Sequence, residues 1–267
     1  ADLIYAVWKV ILLGVYERFA SVYDIFMDNV DYDMWVEYIH KIWEKENISP
    51  KLIAELGCGT GNITCRLAKE GYDMIGIDIS GEMLSVAREK AMEEGCDVLF
   101  LLQDMTEFEL YGTVDVILCL CDSINYITDY DGIKKVFKLV NNYLEPKGLF
   151  IFDINTEHKF KDILGKNTYA DCEDGAAYIW QNYYDENEKI NEYYVNFFVE
   201  GEDGLYERTE ECHYERAYSV DEIKKAIEEA GMEFVSAYDA FTFNKPNSQS
   251  ERVYVVAREK GKCMEDL

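Results

Sequence analysis

The stretch Leu52 to Asn62 (LIAELGCGTGN) restricts the fold more than any other part of the chain. A short apolar run passes directly into three alternating glycines, Gly57, Gly59 and Gly61. A strand that turns at once into a helix needs backbone conformations that a Cβ resists, and glycine there lets main-chain N–H groups approach a ligand closely. A dinucleotide-binding turn would place its third glycine at position 62, which is Asn62. The tighter spacing points to a different ligand, or to an ordinary strand–helix turn.

The surrounding pattern decides the fold class. Apolar runs at 52–56, 74–77, 98–102, 114–120 and 149–154 read as buried parallel strands. Helical spacing appears at 60–70, 81–94 and 130–143 between them, and at 16–28 and 32–46 before them. Such alternation predicts an α/β, doubly wound, mostly parallel sheet with helices on both faces. After residue 168 the rhythm changes. Segments 176–184, 190–200 and 205–217 are rich in Tyr, Phe and Val and are separated by turn-like residues. They predict a three-stranded antiparallel insertion after the fifth strand. Ser219 and Glu222 form a capping box that restarts a helix, Gly231 ends it, and two strands follow at 233–240 and 252–257. The expected organisation is a helical cover over 1–48, a ligand-binding core over 49–168, the β insertion over 169–218 as substrate floor or dimer surface, a return to the core sheet over 219–260, and a tail over 261–267.

Charge narrows the partners. The chain carries 53 acidic and 26 basic residues, a formal −27. That field repels phosphate backbones and anionic membranes, so nucleic acid is not an expected partner and a small neutral or cationic substrate is. Eight cysteines occur without CxxC pairs or a Cys/His spacing, which predicts no metal and reduced thiols in a cytoplasmic protein. The apolar stretch 3–15 is interrupted by Lys9 and is too short to span a bilayer, so no membrane role is expected. A homodimer is compatible with this composition.

Two further acidic markers stand where the next two strands end. Asp78 lies 17 residues beyond Gly61, where a carboxylate can accept from both hydroxyls of a ribose. Asp104 and Met105 close the third strand, suited to an adenine amino group and to ring packing. Each alone could be a helix cap or a loop residue. Their recurrence at successive strand ends falls on the edge where open α/β sheets bind ligands.

The run from Glu55 to Gly61 (ELGCGTG) resembles the first motif of class I S-adenosylmethionine (SAM)-dependent methyltransferases. The run from Gly76 to Arg88 (GIDISGEMLSVAR) is similar to their second-strand motif. The resemblance extends over roughly residues 15–260. It implies a seven-stranded Rossmann-like sheet whose last strand runs antiparallel, SAM as cofactor and S-adenosylhomocysteine as product. It also implies cofactor contacts at Glu55, Gly57, Cys58, Gly59, Asp78, Ile79, Met83, Asp104 and Met105. The segment Leu118 to Tyr126 (LCLCDSINY) resembles the corresponding region of small-molecule N-methyltransferases, including glycine and amino-sugar N-methyltransferases. By that resemblance Leu120 and Cys121 flank the cofactor, and Ser123 and Tyr126 approach the transfer site. The segments 16–24 and 31–35 resemble the same subgroup's N-terminal cover, which would bring Tyr23 and Trp35 over the methionine end of SAM.

Methyl transfer from a sulfonium is an in-line displacement, in which alignment and exclusion of water supply most of the rate. Tyr126 and His158 are the residues expected to assist it. His158 follows the fifth strand on the ligand-bearing edge, and a neutral imidazole can take a proton near neutral pH. His213 falls in the insertion and His40 on the second helix. The reading is therefore a methyltransferase acting on nitrogen or oxygen of a small molecule. A tRNA or protein methyltransferase, or a SAM-binding interaction module without turnover, are the alternatives.

Overall fold

The computed structural model describes residues 24, 27, 30–173, 175–201 and 203–262. The helix expected over 16–28, and with it Tyr23, lies outside the described residues, apart from isolated positions such as Asp24. The core sheet has seven strands. They are β1 Leu52–Leu56, β2 Asp73–Asp78, β3 Val98–Leu102, β4 Val114–Cys119, β5 Leu144–Asn155, β10 Glu233–Asp239 and β11 Arg252–Arg258. Their spatial order is β10-β11-β5-β4-β1-β2-β3, with β11 antiparallel to both of its neighbours and the five strands from β5 to β3 parallel. The order reverses between β1 and β4, and ligands bind doubly wound sheets outside the strand C-termini at such a reversal.

The strands read as apolar because both faces are covered. On one face Ala54, Ile117, Phe150, Phe152 and Val255 pack under α4 (Tyr130–Tyr143) and α5 (Val220–Glu229). On the other, Ile53, Leu118, Ile151 and Tyr254 pack against α1 (Tyr32–Lys45) and α2 (Asn62–Lys69). Next to α2, α3 (Gly81–Glu94) buries Leu84, Ala87 and Ala91 against Cys58, Cys65 and Phe100. Alternate residues of one strand feed opposite layers, as the two-residue strand period requires. The caps follow the sequence: Ser80 accepts from Met83 N, and Ser219 and Glu222 form the expected reciprocal box.

The insertion forms a second sheet of four antiparallel strands in sequence order: β6 Thr168–Glu173, β7 Ala176–Asp185, β8 Ile190–Glu200 and β9 Tyr206–Arg216. The expectation of three strands missed β6. That segment, TYADCE, has no clean apolar alternation, and it pairs with β7 as an edge strand. A π-helical turn, Lys159–Leu164, leads from β5 into it. Asn125 joins the two sheets: its Nδ2 donates to Asn155 O (3.1 Å) and Arg216 O (2.8 Å), and its Oδ1 accepts from Asn155 N (2.9 Å).

Candidate active site

A cavity of about 460 Å³ opens at the C-terminal ends of β1, β2, β3 and β4. The turn after β1 forms its floor. Gly57, Gly59 and Gly61 all have positive φ (66°, 53° and 75°), which glycine tolerates without strain. A Cβ on Gly57 would lie 2.6 Å from Ser123 Oγ, so the glycine turn and the loop after β4 are in direct contact. A Cβ on Gly59 would meet nothing within 4 Å, so this main chain borders open space.

Asp78 holds the turn in place. Its Oδ2 accepts from Gly59 N and its Oδ1 from Ser80 N, both at 2.8 Å. Burial raises its pKa, against the lowering effect of these backbone bonds. Each carboxylate oxygen keeps a further lone pair, which is the acceptor pair a ribose diol requires. Asp104 is oriented differently: its Oδ1 accepts from the N–H (2.8 Å) and hydroxyl (2.7 Å) of Thr106, leaving Oδ2 for an outside donor. Ile79, Met83, Met105 and Leu120 give the cavity apolar walls suited to a purine.

Glu55 also lines the cavity, yet only 3 % of its surface is exposed. Burial pushes its carboxyl up to about 8, against a hydrogen bond from Thr64 Oγ1 and with a further push from Asp78. A cation placed beside it would favour the ionised form. These features fit SAM, whose ribose, adenine and cationic methionine end each meet a matching group.

The loop after β4 closes the cavity with Cys121, Ser123 and Tyr126. Cys121 and Asp122 both have φ of 55°, an uncommon conformation for residues with a Cβ. A clamp anchored on the buried Asp153 holds them there. Arg252 pairs with Asp153, and its Nη2 lies 2.6 Å from Asp122 Oδ1. Asp122 N in turn donates to Asp153 Oδ2 at 2.9 Å.

Glu55, Gly57, Cys58, Gly59, Asp78, Ile79, Met83, Asp104, Met105, Leu120, Cys121 and Tyr126 therefore come together around one cavity. Two expected residues do not join them. Trp35 is a packing residue, 6 % exposed, with its ring 5.3 Å from Phe241, 5.7 Å from Tyr254 and 5.2 Å from the Arg252 guanidinium. From the same helix it is Tyr32 that lines the cavity. His158 pairs with Asp162 at 2.8 Å and lines a separate cavity near Lys161 and Ser219, so the structure does not bring it to the cavity that Tyr126 lines. The histidine beside Tyr126 is His213, with ring centroids 6.0 Å apart and edge to face. Its signal in the sequence was the row Glu211, His213, Glu215 at strand spacing, all of them buried. Asp24 was likewise not anticipated. It accepts from Thr60 Oγ1 (2.7 Å) and Asn62 Nδ2 (2.9 Å) and pairs with Lys90 (2.8 Å), which ties Asp24 itself to the glycine turn and to α3.

Comparison with known proteins agrees with this geometry. A family model described as a methyltransferase domain matches residues 53–148. A Geobacillus sp. (strain WCH70) protein with a provisional methyltransferase name is 34% identical over 245 residues, 91% of this chain and 99% of its own. The crystal structure of a SAM-dependent methyltransferase from Clostridium acetobutylicum ATCC 824 superposes with a TM-score of 0.82 at 33% identity, over 92% of this chain and 99% of that one. This chain is a class I SAM-dependent methyltransferase. The SAM-bound amino pentose methyltransferase CalS10 from Micromonospora echinaspora shares the fold alone, with a TM-score of 0.69 at 17% identity over 87% of this chain and 93% of its own. In this methyltransferase no described helix is long and apolar enough to cross a membrane. No group of three or more potential metal ligands occurs among the described residues.

Proposed function

We propose that this methyltransferase transfers the methyl group of SAM to nitrogen or oxygen of a small molecule in the cavity between the glycine turn and the loop bearing Tyr126. The observation that carries the reading is the convergence of Glu55, the Gly57–Gly59 turn, Asp78, Asp104 and Tyr126 on one cavity of about 460 Å³, a size suited to a cofactor and not to a macromolecular chain. Bound there, the cofactor supplies an electrophilic methyl on a sulfonium. Asp78 would accept from the ribose hydroxyls, Asp104 Oδ2 from the adenine amino group, and Glu55 would face the cationic methionine end. Leu120, Cys121 and Tyr126 would border the reacting centre and exclude water, so that alignment supplies most of the acceleration. The charge of −27 supports a neutral or cationic acceptor over tRNA. The seven described cysteines are free thiols, which suits a reducing, cytoplasmic setting.

Calorimetry with SAM and S-adenosylhomocysteine on wild type and Asp78→Asn tests the cofactor assignment. The variant puts an amide N–H against one backbone donor and loses an acceptor for the diol. Its affinity should fall about 10- to 100-fold, the equivalent of ~1.5–3 kcal/mol for a hydrogen bond to a charged group. Unchanged affinity in a folded variant would remove Asp78 from the site. Native mass spectrometry and a screen of small amines and hydroxylated metabolites with methyl-labelled SAM address the acceptor.

A further inference from the structure

The cavity wall at Cys121 has a backbone conformation that its own residues do not favour. Cys121 and Asp122 stand in succession with φ of 55°, where a Cβ crowds the following carbonyl. Aspartate tolerates this region better than most residues, and cysteine does not. Strain of this kind persists only where the surroundings outweigh it. A relaxed backbone here would carry Cys121 off the cavity that it lines.

The restraint comes from two strands and a helix. Asp153 on β5 is inaccessible, and its Oδ2 accepts from Asp122 N at 2.9 Å and from Arg252 Nη1. Arg252 Nη2 lies 2.6 Å from Asp122 Oδ1, so Asp122 is held by its backbone and by its side chain. A guanidinium can span two carboxylates in this way because its N–H groups are fixed in one plane. Arg252 and Tyr254 are two apart on β11 and face the same side, where α1 packs. There the guanidinium lies over the Trp35 ring, 5.2 Å from its centroid. The indole is itself wedged, with Phe241 edge to face at 5.3 Å and Tyr254 at 5.7 Å. An arginine over a buried indole is attracted by the ring quadrupole, and more strongly the less water reaches it.

We infer that Trp35 and Arg252 are positioning residues for the cofactor: the indole holds the guanidinium across Asp122 and Asp153, and this clamp keeps Cys121 in the left-handed conformation that forms the cavity wall. The inference rests on that cavity being the SAM site. It gives α1 two routes to the cofactor. Tyr32 lines the cavity itself, and Trp35, one turn further along, acts through Arg252. Left-handed strain at two residues is of the same order as one desolvated cation–π contact, so loss of the indole lets a sizeable fraction of the molecules relax.

A glycine separates this role from plain packing. Cys121→Gly takes a positive φ without strain and so lowers the need for the clamp, whereas it cannot refill a gap left at Trp35. Calorimetry with S-adenosylhomocysteine compares wild type, Trp35→Leu, Cys121→Gly and the double variant, each checked for folding by circular dichroism. Trp35→Leu should weaken binding about three- to tenfold in the wild-type background and less than about twofold in the Cys121→Gly background. Arg252→Lys keeps the charge but cannot span both carboxylates, and in place of a Trp35→Leu that does not fold it should show the same contraction. An equal loss in both backgrounds, or no loss in either, overturns the inference. A second readout needs no cofactor: the rate at which iodoacetamide alkylates Cys121 in the native protein, read by peptide mass spectrometry with the exposed Cys172 as internal reference. That rate should rise about three- to tenfold in Trp35→Leu or Arg252→Lys, because alkylation goes through the relaxed backbone. An unchanged rate overturns the clamp whatever the calorimetry gives. A raised rate in a protein whose wild type does not bind S-adenosylhomocysteine would uphold the clamp and count against the cofactor site.

Discussion

Replacing Glu55 by glutamine should change the pH dependence of stability in a calculable way. Glu55 sits at the end of β1 with 3 % of its surface exposed, and burial raises its carboxyl from 4.5 to about 8. In the unfolded chain the same carboxyl ionises near its ordinary value. Between those two pH values the folded protein holds a proton that the unfolded chain has released, so folding is favoured at low pH and that advantage is lost as pH rises through about 8. At ~1.36 kcal/mol per pH unit the full difference is roughly 5 kcal/mol, of which about 2.7 kcal/mol is lost between about pH 6 and pH 9. The glutamine side chain would keep the shape and the bond from Thr64 but have no proton to release. The test is urea unfolding of wild type and Glu55→Gln at several pH values in that interval, taking the difference so that titration of the rest of this acidic chain cancels. Wild type should lose about 2–3 kcal/mol relative to the variant on going from the lower to the higher pH. A difference constant to within ~0.5 kcal/mol would mean that Glu55 is already ionised at the lower pH, and the account of this site as a buried neutral acid would fail. The same linkage predicts that a cationic cofactor binds wild type more tightly as pH rises and releases a proton when it does.

Gly57→Ala should abolish measurable SAM binding or unfold the turn, since its Cβ would fall 2.6 Å from Ser123 Oγ at a φ of 66°; calorimetry and circular dichroism distinguish the two. Arg252→Met should cost about 3–5 kcal/mol in urea unfolding, because Asp122 and Asp153 would be left buried without their cation, and a loss below ~1 kcal/mol would refute the clamp. His158→Ala should leave SAM affinity and turnover within about twofold of wild type, as expected of a residue outside the cavity, and a larger loss in turnover would return it to the mechanism.

What the chain itself encodes is the local part of this enzyme. The boundaries of β1, β3, α3 and α4 follow from runs of apolar residues, from Ser80 as a cap and from glycines that accept positive φ without strain, and each depends on neighbours within a few residues. The strand-end positions of Glu55, Asp78 and Asp104 follow equally, because a doubly wound sheet puts successive strand C-termini on one edge. Which way a side chain faces across distant elements is not local. Trp35 and Tyr32 share a helix, and only the packing of that helix against Tyr254 and Phe241 sends one to the core and the other to the cavity. His158 follows a strand on the ligand-bearing edge, but at the start of the π-helical turn it lines a different cavity, and much later in the chain β9 brings His213 to Tyr126 instead. The polar inner face of β9 violates the strand alternation that sequence patterns rest on. Tyr193, on the neighbouring strand β8, donates to Glu215 Oε1, and burial raises the pKa of that carboxyl, which lessens the cost of its burial.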